Sequence, residues 1–193
     1  MPASPLPQSF YNRPTLTVAR ELLGATLVRE ENGLRVAGMI IETEAYVGES
    51  DLGCHAKAGK TPRTAIMYGS PGRAYVYFTY GMHWLLNAVT EAEGFPAAVL
   101  IRAIRPLEGL EQIAARRGRQ PRARWTDGPA KLTQALAIDR SFNGSDLCSR
   151  ASGLWIEAGE RIPDKNVTIG ARVGLYSVPE PWKSIPWRFL AKF

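Results

Sequence analysis

The chain has 193 residues, enough for one compact domain with a sizeable core. With 45% apolar and 22% charged residues it has the balance of an ordinary globular protein, which excludes a disordered or fibrous chain. The net charge of +6 and a pI near 9.5 favour an anionic partner, nucleic acid or an acidic membrane surface, without choosing between them.

Residues 1–12 open with three prolines and read as a flexible lead-in to a single domain over 13–193. Leu16, Ala19, Leu22 and Leu23 then recur at helical spacing, and Gly24 is a stop signal. Two strands are predicted over 26–30 and 34–46, joined by a hairpin turn at Asn32-Gly33. Residues 48–72 form a long loop rich in Gly, Pro, Lys and Arg, of the length that is usually functional or disordered. A strand over 75–80 is interrupted by Gly81 and resumes over 84–89, and a third apolar strand covers 97–104. Pro106 is expected to open a helix, with Glu108 and Glu111 early and Arg116 and Arg117 at its end, a charge order that complements the dipole. A second helix is predicted from Gly128-Pro129, burying Leu132 and Leu136. Strands are expected over 154–158 and 172–176, and a tail carrying Trp182, Trp187 and Phe189 docks on the core.

Charge is unevenly placed. No acidic residue occurs from Leu52 to Thr90, while Lys57, Lys60, Arg63 and Arg73 are cationic. A second basic run, Arg116 to Arg124, contains Gly118 and Pro121 and reads equally well as a solvated loop. Two cysteines do not make a disulfide framework, and the absence of C-x-x-C and H-x-x-x-H spacing argues against zinc. No cofactor or metal is expected. No apolar stretch reaches the ~20 residues of a membrane span, and the N-terminus lacks signal-peptide regions. The sequence therefore reads as cytoplasmic (nucleoid-associated in a bacterium), with no membrane partner.

The most unusual segment is Glu42-Thr43-Glu44-Ala45-Tyr46, preceded by two isoleucines. On a strand Glu42, Glu44 and Tyr46 share one face. Two carboxylates beside an aromatic ring need partners or a wet cleft. They are either paired with arginines on a solvated face, or one is a general base aimed into a pocket. Parity leaves open which glutamate that is. Tyr75 and Tyr77 share a face of the next strand, and Tyr80 has the opposite parity unless Gly81 bends the chain. Tyrosines beside an acid-free loop point to stacking on nucleic-acid bases.

These residues resemble one family. Glu42-Thr43-Glu44-Ala45-Tyr46, His55, Thr61-Pro62-Arg63, the run Tyr75 to Met82, Asn87, Leu100-Ile101-Arg102-Ala103, Pro106 to Gly109, and Gly128-Pro129 to Ile138 are similar to the alkyladenine (3-methyladenine) DNA glycosylases. The resemblance runs from about Arg13 to the C-terminus. It implies an α+β fold: one domain with a curved, mainly antiparallel, open-barrel-like sheet and surrounding helices. It implies an enzyme that flips a damaged purine from double-stranded DNA and hydrolyses its N-glycosidic bond, working as a monomer. It implies Glu44 as the base that activates water, and Arg102 as its aid. It implies Tyr46 on one face of the flipped base, His55 and Tyr77 on the other, and Asn87 as the residue that disfavours guanine. It implies that Tyr80 wedges into the duplex and that Arg63 contacts DNA, and Lys131, in the first turn of the helix after Gly128-Pro129, is expected to meet the DNA backbone. Asp51-Leu52-Gly53-Cys54, Thr64-Ala65 and Ala130 depart from the family's pattern. Two rival readings are a carbohydrate hydrolase using Glu42 and Glu44 as a pair, and a non-catalytic nucleic-acid binding module.

Overall fold

A computed structural model describes residues 3–192. Helices α1 (Gln8–Tyr11) and α2 (Thr15–Glu21) lead into strands β1 (Thr26–Glu31) and β2 (Leu34–Val47). Strands β3 (Ala74–Thr79), β4 (His83–Val89) and β5 (Ala97–Glu108) follow, then helices α3 (Leu110–Arg117) and α4 (Pro129–Ala135). The chain ends with β6 (Leu154–Glu157), β7 (Val167–Gly170) and β8 (Arg188–Ala191). The strands form one sheet in the order β3-β4-β5-β2-β1-β6; β8 joins β2 beyond the end of β1, and β7 pairs with β8. Its strand pairings are antiparallel throughout, so the expected α+β class is observed.

The β1–β2 hairpin forms where Asn-Gly places it. Asn32 and Gly33 have φ of 51° and 76°, the left-handed pair of a type I′ turn, and Glu31 faces Leu34. Gly24 ends the α2 segment at φ 91°. A Cβ there would lie 1.9 Å from the Glu160 carbonyl oxygen. Strain and clash act together, so Gly24→Ala is expected to lower stability by about 2–4 kcal/mol. Thermal unfolding checks this, and an unchanged midpoint contradicts the packing described.

Strand β2 is buried on both faces from Glu42 to Ala45 because α2 covers one side and β5 and β8 flank it. The Thr43 hydroxyl faces the helix and donates to the Ala19 carbonyl at 2.8 Å. The opposite face carries the glutamates.

Three expectations are corrected. Residues 1–12 are not a loose lead-in where described: the Leu6 N–H donates to the Ile156 carbonyl, and Tyr11 is fully buried. Met1 and Pro2 of that segment lie outside the described residues. Pro106 does not open a helix. It pairs with Gly38 at a register shift, where a missing N–H is tolerated, and α3 starts after Gly109 at φ 68°. No strand forms over 172–176; that segment is turn, and the terminal strands lie at β7 and β8 instead. Strands of four residues carry too little periodicity to read. The tail docks as expected, with Phe189 buried and Trp187 against the core. No helix among the described residues is long and apolar enough to cross a membrane.

Candidate active site

Antiparallel register sets a single row of side chains across five strands. Tyr75 faces Asn87, Asn87 faces Leu100, Leu100 faces Glu44, and Glu44 faces Arg188. Residues directly opposite share a face, and the i±2 positions join them. That face lines a cavity of about 340 Å³ with Tyr75, Tyr77, Leu85, Asn87, Leu100 and Arg102. Tyr46, Cys54 and His55 close one side, and Val173 to Leu175 another.

Two irregularities place the central charges. Between Ile40–Ile104 and Glu42–Ala103 the register shifts by one, leaving Ile41 extra on β2; between Glu42–Ala103 and Thr43–Ile101 it shifts again, leaving Arg102 extra on β5. Bulges re-aim side chains in this way. Arg102 Nε lies 3.0 Å from Glu42 Oε1 and 3.4 Å from Glu44 Oε1. Arg188 Nε also donates to Glu42 Oε1. Glu42 is thus an anion held between two guanidinium groups.

Glu44 differs from its neighbour. Its side chain is fully buried, and it accepts from the Tyr46 hydroxyl at 2.8 Å and the Val173 N–H at 2.6 Å. Burial raises its pKa above the ordinary carboxylate value; Arg102, the Val173 N–H and the Tyr46 hydroxyl oppose that, and Glu42 adds to it. A carboxylate held in this way is a stronger base than an exposed one. The expected shared face of Glu42, Glu44 and Tyr46 is present, and the solvated-face alternative is excluded by burial.

The slot walls are aromatic. The His55 and Tyr77 rings meet edge to face at 4.5 Å, and Tyr75 lies 5.3 Å from Tyr77. His55 Nδ1 shares a hydrogen bond with the Tyr75 hydroxyl at 2.9 Å. Burial, then Arg63 and Lys57, push the His55 pKa down to about 4, so the ring is neutral at pH 7. Asn87 is buried and donates to the Tyr75 carbonyl at 3.0 Å. Cys54 is buried, its thiol pushed up to about 12 chiefly by desolvation, so it is not a nucleophile.

Tyr80 leaves the strand altogether. It takes φ 51°, Gly81 follows at 67°, and the ring is 83% exposed at the tip of the β3–β4 hairpin. The strand's parity therefore does not apply to it. Arg63 lies over the Tyr77 ring at 5.2 Å. Lys131, in α4, pairs with Asp127 at 2.7 Å. Part of the second basic run is internal: Arg116 binds Glu31 and the Ala135 carbonyl, and Arg117 binds Gln134. Among the described residues no group of three or more His, Cys, Asp or Glu is placed to hold a metal ion.

Sequence reasoning missed Arg188, Val173 and the Asp51–Arg172 pair. Arg188 sits on a four-residue strand, and Val173 acts through its backbone, which no side-chain pattern records.

A tyrosine-walled slot beside a buried carboxylate paired with a guanidinium defines a class, a site able to stack a flat ring next to an acid–base group. The comparisons narrow it. Residues 9–192 match the family described as Methylpurine-DNA glycosylase. A relative from Myxococcus xanthus is 49% identical over 183 residues, covering 95% of this chain and 88% of the relative. One from Methanocella arvoryzae is 49% identical over 193 residues (97% and 92%), and one from Carboxydothermus hydrogenoformans 46% over 187 residues (97% and 95%). All three carry the name "Putative 3-methyladenine DNA glycosylase". The chain belongs to the methylpurine-DNA glycosylase family, and is a DNA repair glycosylase, a hydrolase of N-glycosyl bonds.

Proposed function

We propose that the protein, as a monomer, flips an alkylated or deaminated purine from duplex DNA into this cavity and hydrolyses its glycosidic bond with a water activated by Glu44. One observation carries the reading: Glu44, buried and raised in pKa, is held by Tyr46, Val173 and Arg102, which line the same cavity as His55 and Tyr77. A base taken out of the stack needs π-faces to bind and a carboxylate near C1′. The leaving purine draws electrons from the sugar, and the cation-like sugar is stabilised by the anion while water attacks. Arg102 steadies Glu44 and the water. Asn87 stands at the base edge, and its fixed amide disfavours an exocyclic amine in the wrong place.

Around the slot, Tyr80 fills the gap left in the duplex, and Arg63 and Lys131 contact the DNA backbone. Lys131 must exchange Asp127 for phosphate. The sugar-hydrolase alternative loses ground because the Glu42 carboxylate is taken up by Arg102 and Arg188 instead of standing open to a glycosidic oxygen.

Release of free base from duplexes carrying 3-methyladenine, 7-methylguanine, hypoxanthine or etheno-adenine, in the presence of a chelator, tests the reading. Release of at least one is expected; release of none from DNA that the protein binds overturns it. Tyr80→Ala is expected to keep the fold, since the ring is exposed, and to weaken capture of the flipped base about tenfold or more, the value of one lost base stack. A fluorescent base analogue opposite the lesion reads flipping directly, and equal signal from wild type and variant contradicts the wedge.

A further inference from the structure

We propose that the buried Asp51–Arg172 pair is a positioning device for the reaction, holding Tyr46, the His55 loop and the Val173 N–H in register with Glu44. The inference rests on the function proposed above.

Both side chains are fully buried. Arg172 Nη1 lies 2.5 Å from Asp51 Oδ2 and Nη2 lies 2.8 Å from Asp51 Oδ1, a bidentate pair. Nη1 also donates to the Ala45 carbonyl at 3.0 Å, between Glu44 and Tyr46, and Nη2 to the Trp182 carbonyl at 3.3 Å. Arg172 Cζ lies 4.7 Å from the centroid of the Tyr46 ring and 5.1 Å from that of Trp187. Arg172 does not line the cavity and Tyr46 does, so the cation backs the ring from behind. Asp51, four residues before His55, in turn accepts from the Val47 and Gly53 N–H groups. Gly53 packs so closely that a Cβ would fall 2.7 Å from Arg172 Nη2.

One ion pair therefore ties together three segments distant in sequence: 44–47, 51–55 and 172–187. A well-packed apolar pair could fill that volume at no loss of stability. It could not supply directional bonds to Ala45, Val47, Gly53 and Trp182 at once. The consequence falls on Glu44, because the residue after Arg172 donates its N–H to Glu44 Oε1 at 2.6 Å. The other groups facing that carboxylate are Arg102 on β5, Glu42 and Tyr46 on β2, Tyr77 on β3 and Arg188 on β8. Neither Asp51 nor Arg172 touches the Glu44 carboxylate. They act through Val173 and Tyr46, and are positioning residues.

The test is the pH dependence of single-turnover base release by Asp51→Asn and Arg172→Lys. Glu44 must be ionised to act, and loss of the Val173 N–H raises its pKa. The acidic limb of the profile is expected to move up by about one pH unit, the size of a lost hydrogen bond to a charged group. The plateau rate is expected to fall about 100-fold, with DNA affinity changed by less than about threefold. A role in folding alone lowers the active fraction equally at every pH and leaves the limb in place. An unmoved limb in either folded variant, with wild type active, overturns the inference and leaves the proposed function standing. Failure of both variants to fold assigns the pair to the fold and overturns it as well. A wild type that releases no base from any lesion removes the proposed function first, and this inference with it.

Discussion

Glu44→Gln is expected to bind lesion-containing duplex as wild type does and to release base about 1000-fold more slowly, the scale of a lost general base. The substitution keeps shape and volume. It removes the charge that stabilises the sugar cation and the lone pair that takes water's proton. Stability moves the other way. Burial raises the folded pKa of Glu44 above its unfolded value, so this group's contribution is fully present below the unfolded pKa and is lost as pH rises through the folded pKa. Above that folded pKa the wild type holds an ionised, buried carboxylate, and the glutamine variant does not. The variant is therefore expected to melt at the same temperature or higher, the pattern of a residue kept for function. Turnover, binding and melting measured on one preparation check all three. Wild-type turnover refutes Glu44 as the base.

Arg102→Gln is expected to produce the second largest loss. Arg102 is the guanidinium that bridges Glu42 and Glu44, at 3.0 and 3.4 Å. Without it Glu42 still has Arg188, while Glu44 keeps only the Tyr46 hydroxyl and the Val173 N–H. The lowering influence of Arg102 on Glu44 disappears and that of burial remains, so the pKa rises further. Base release at pH 7 is expected to fall about 100-fold, and part of that loss returns as pH is raised, because the variant's Glu44 needs a higher pH than the wild type's to ionise. The pH–rate profile decides it. A uniform loss with no recovery at high pH contradicts the electrostatic role, and a rate near wild type contradicts the assignment of Arg102.

The sequence carried the centre of the site better than its edges. Period-2 alternation put Glu42, Glu44 and Tyr46 on one face, and the register confirms that face by continuing it through Leu100, Asn87 and Tyr75. Alternation could not show the two bulges, because each is set by the partner strand; they bring Arg102 under both carboxylates. Tyr80 shows a local signal that worked in part. Gly81 marked a bend, but two consecutive left-handed residues, rather than a bent strand, turn the ring outward. The Asn32-Gly33 hairpin was legible because its turn chemistry is local. Pro106 misled for the opposite reason: a proline next to acidic residues looks like a helix start, and only the cross-strand register puts it in β5. Arg172 was unreadable, since its partner lies 121 residues away and its bonds run to backbone carbonyls of two other segments.

This separation also explains how the fold produces the function. The sheet supplies a rigid row of side chains, and the long loop and the C-terminal segment close over it. Strands hold Glu44, Arg102 and Asn87, the groups for which the proposed reaction asks the tightest positioning. Loops carry His55 and Val173, and the hairpin tip carries the exposed Tyr80.

The most direct measurement of the central claim is the stoichiometry of products from a lesion duplex in a single turnover with a chelator present. Hydrolysis by a Glu44-activated water predicts one free purine and one abasic site per duplex, an uncut strand, and no protein–DNA adduct after borohydride reduction. A trapped adduct or a cut strand would mean an amine nucleophile in place of water, and a bound duplex with no free purine would mean no glycosylase at all.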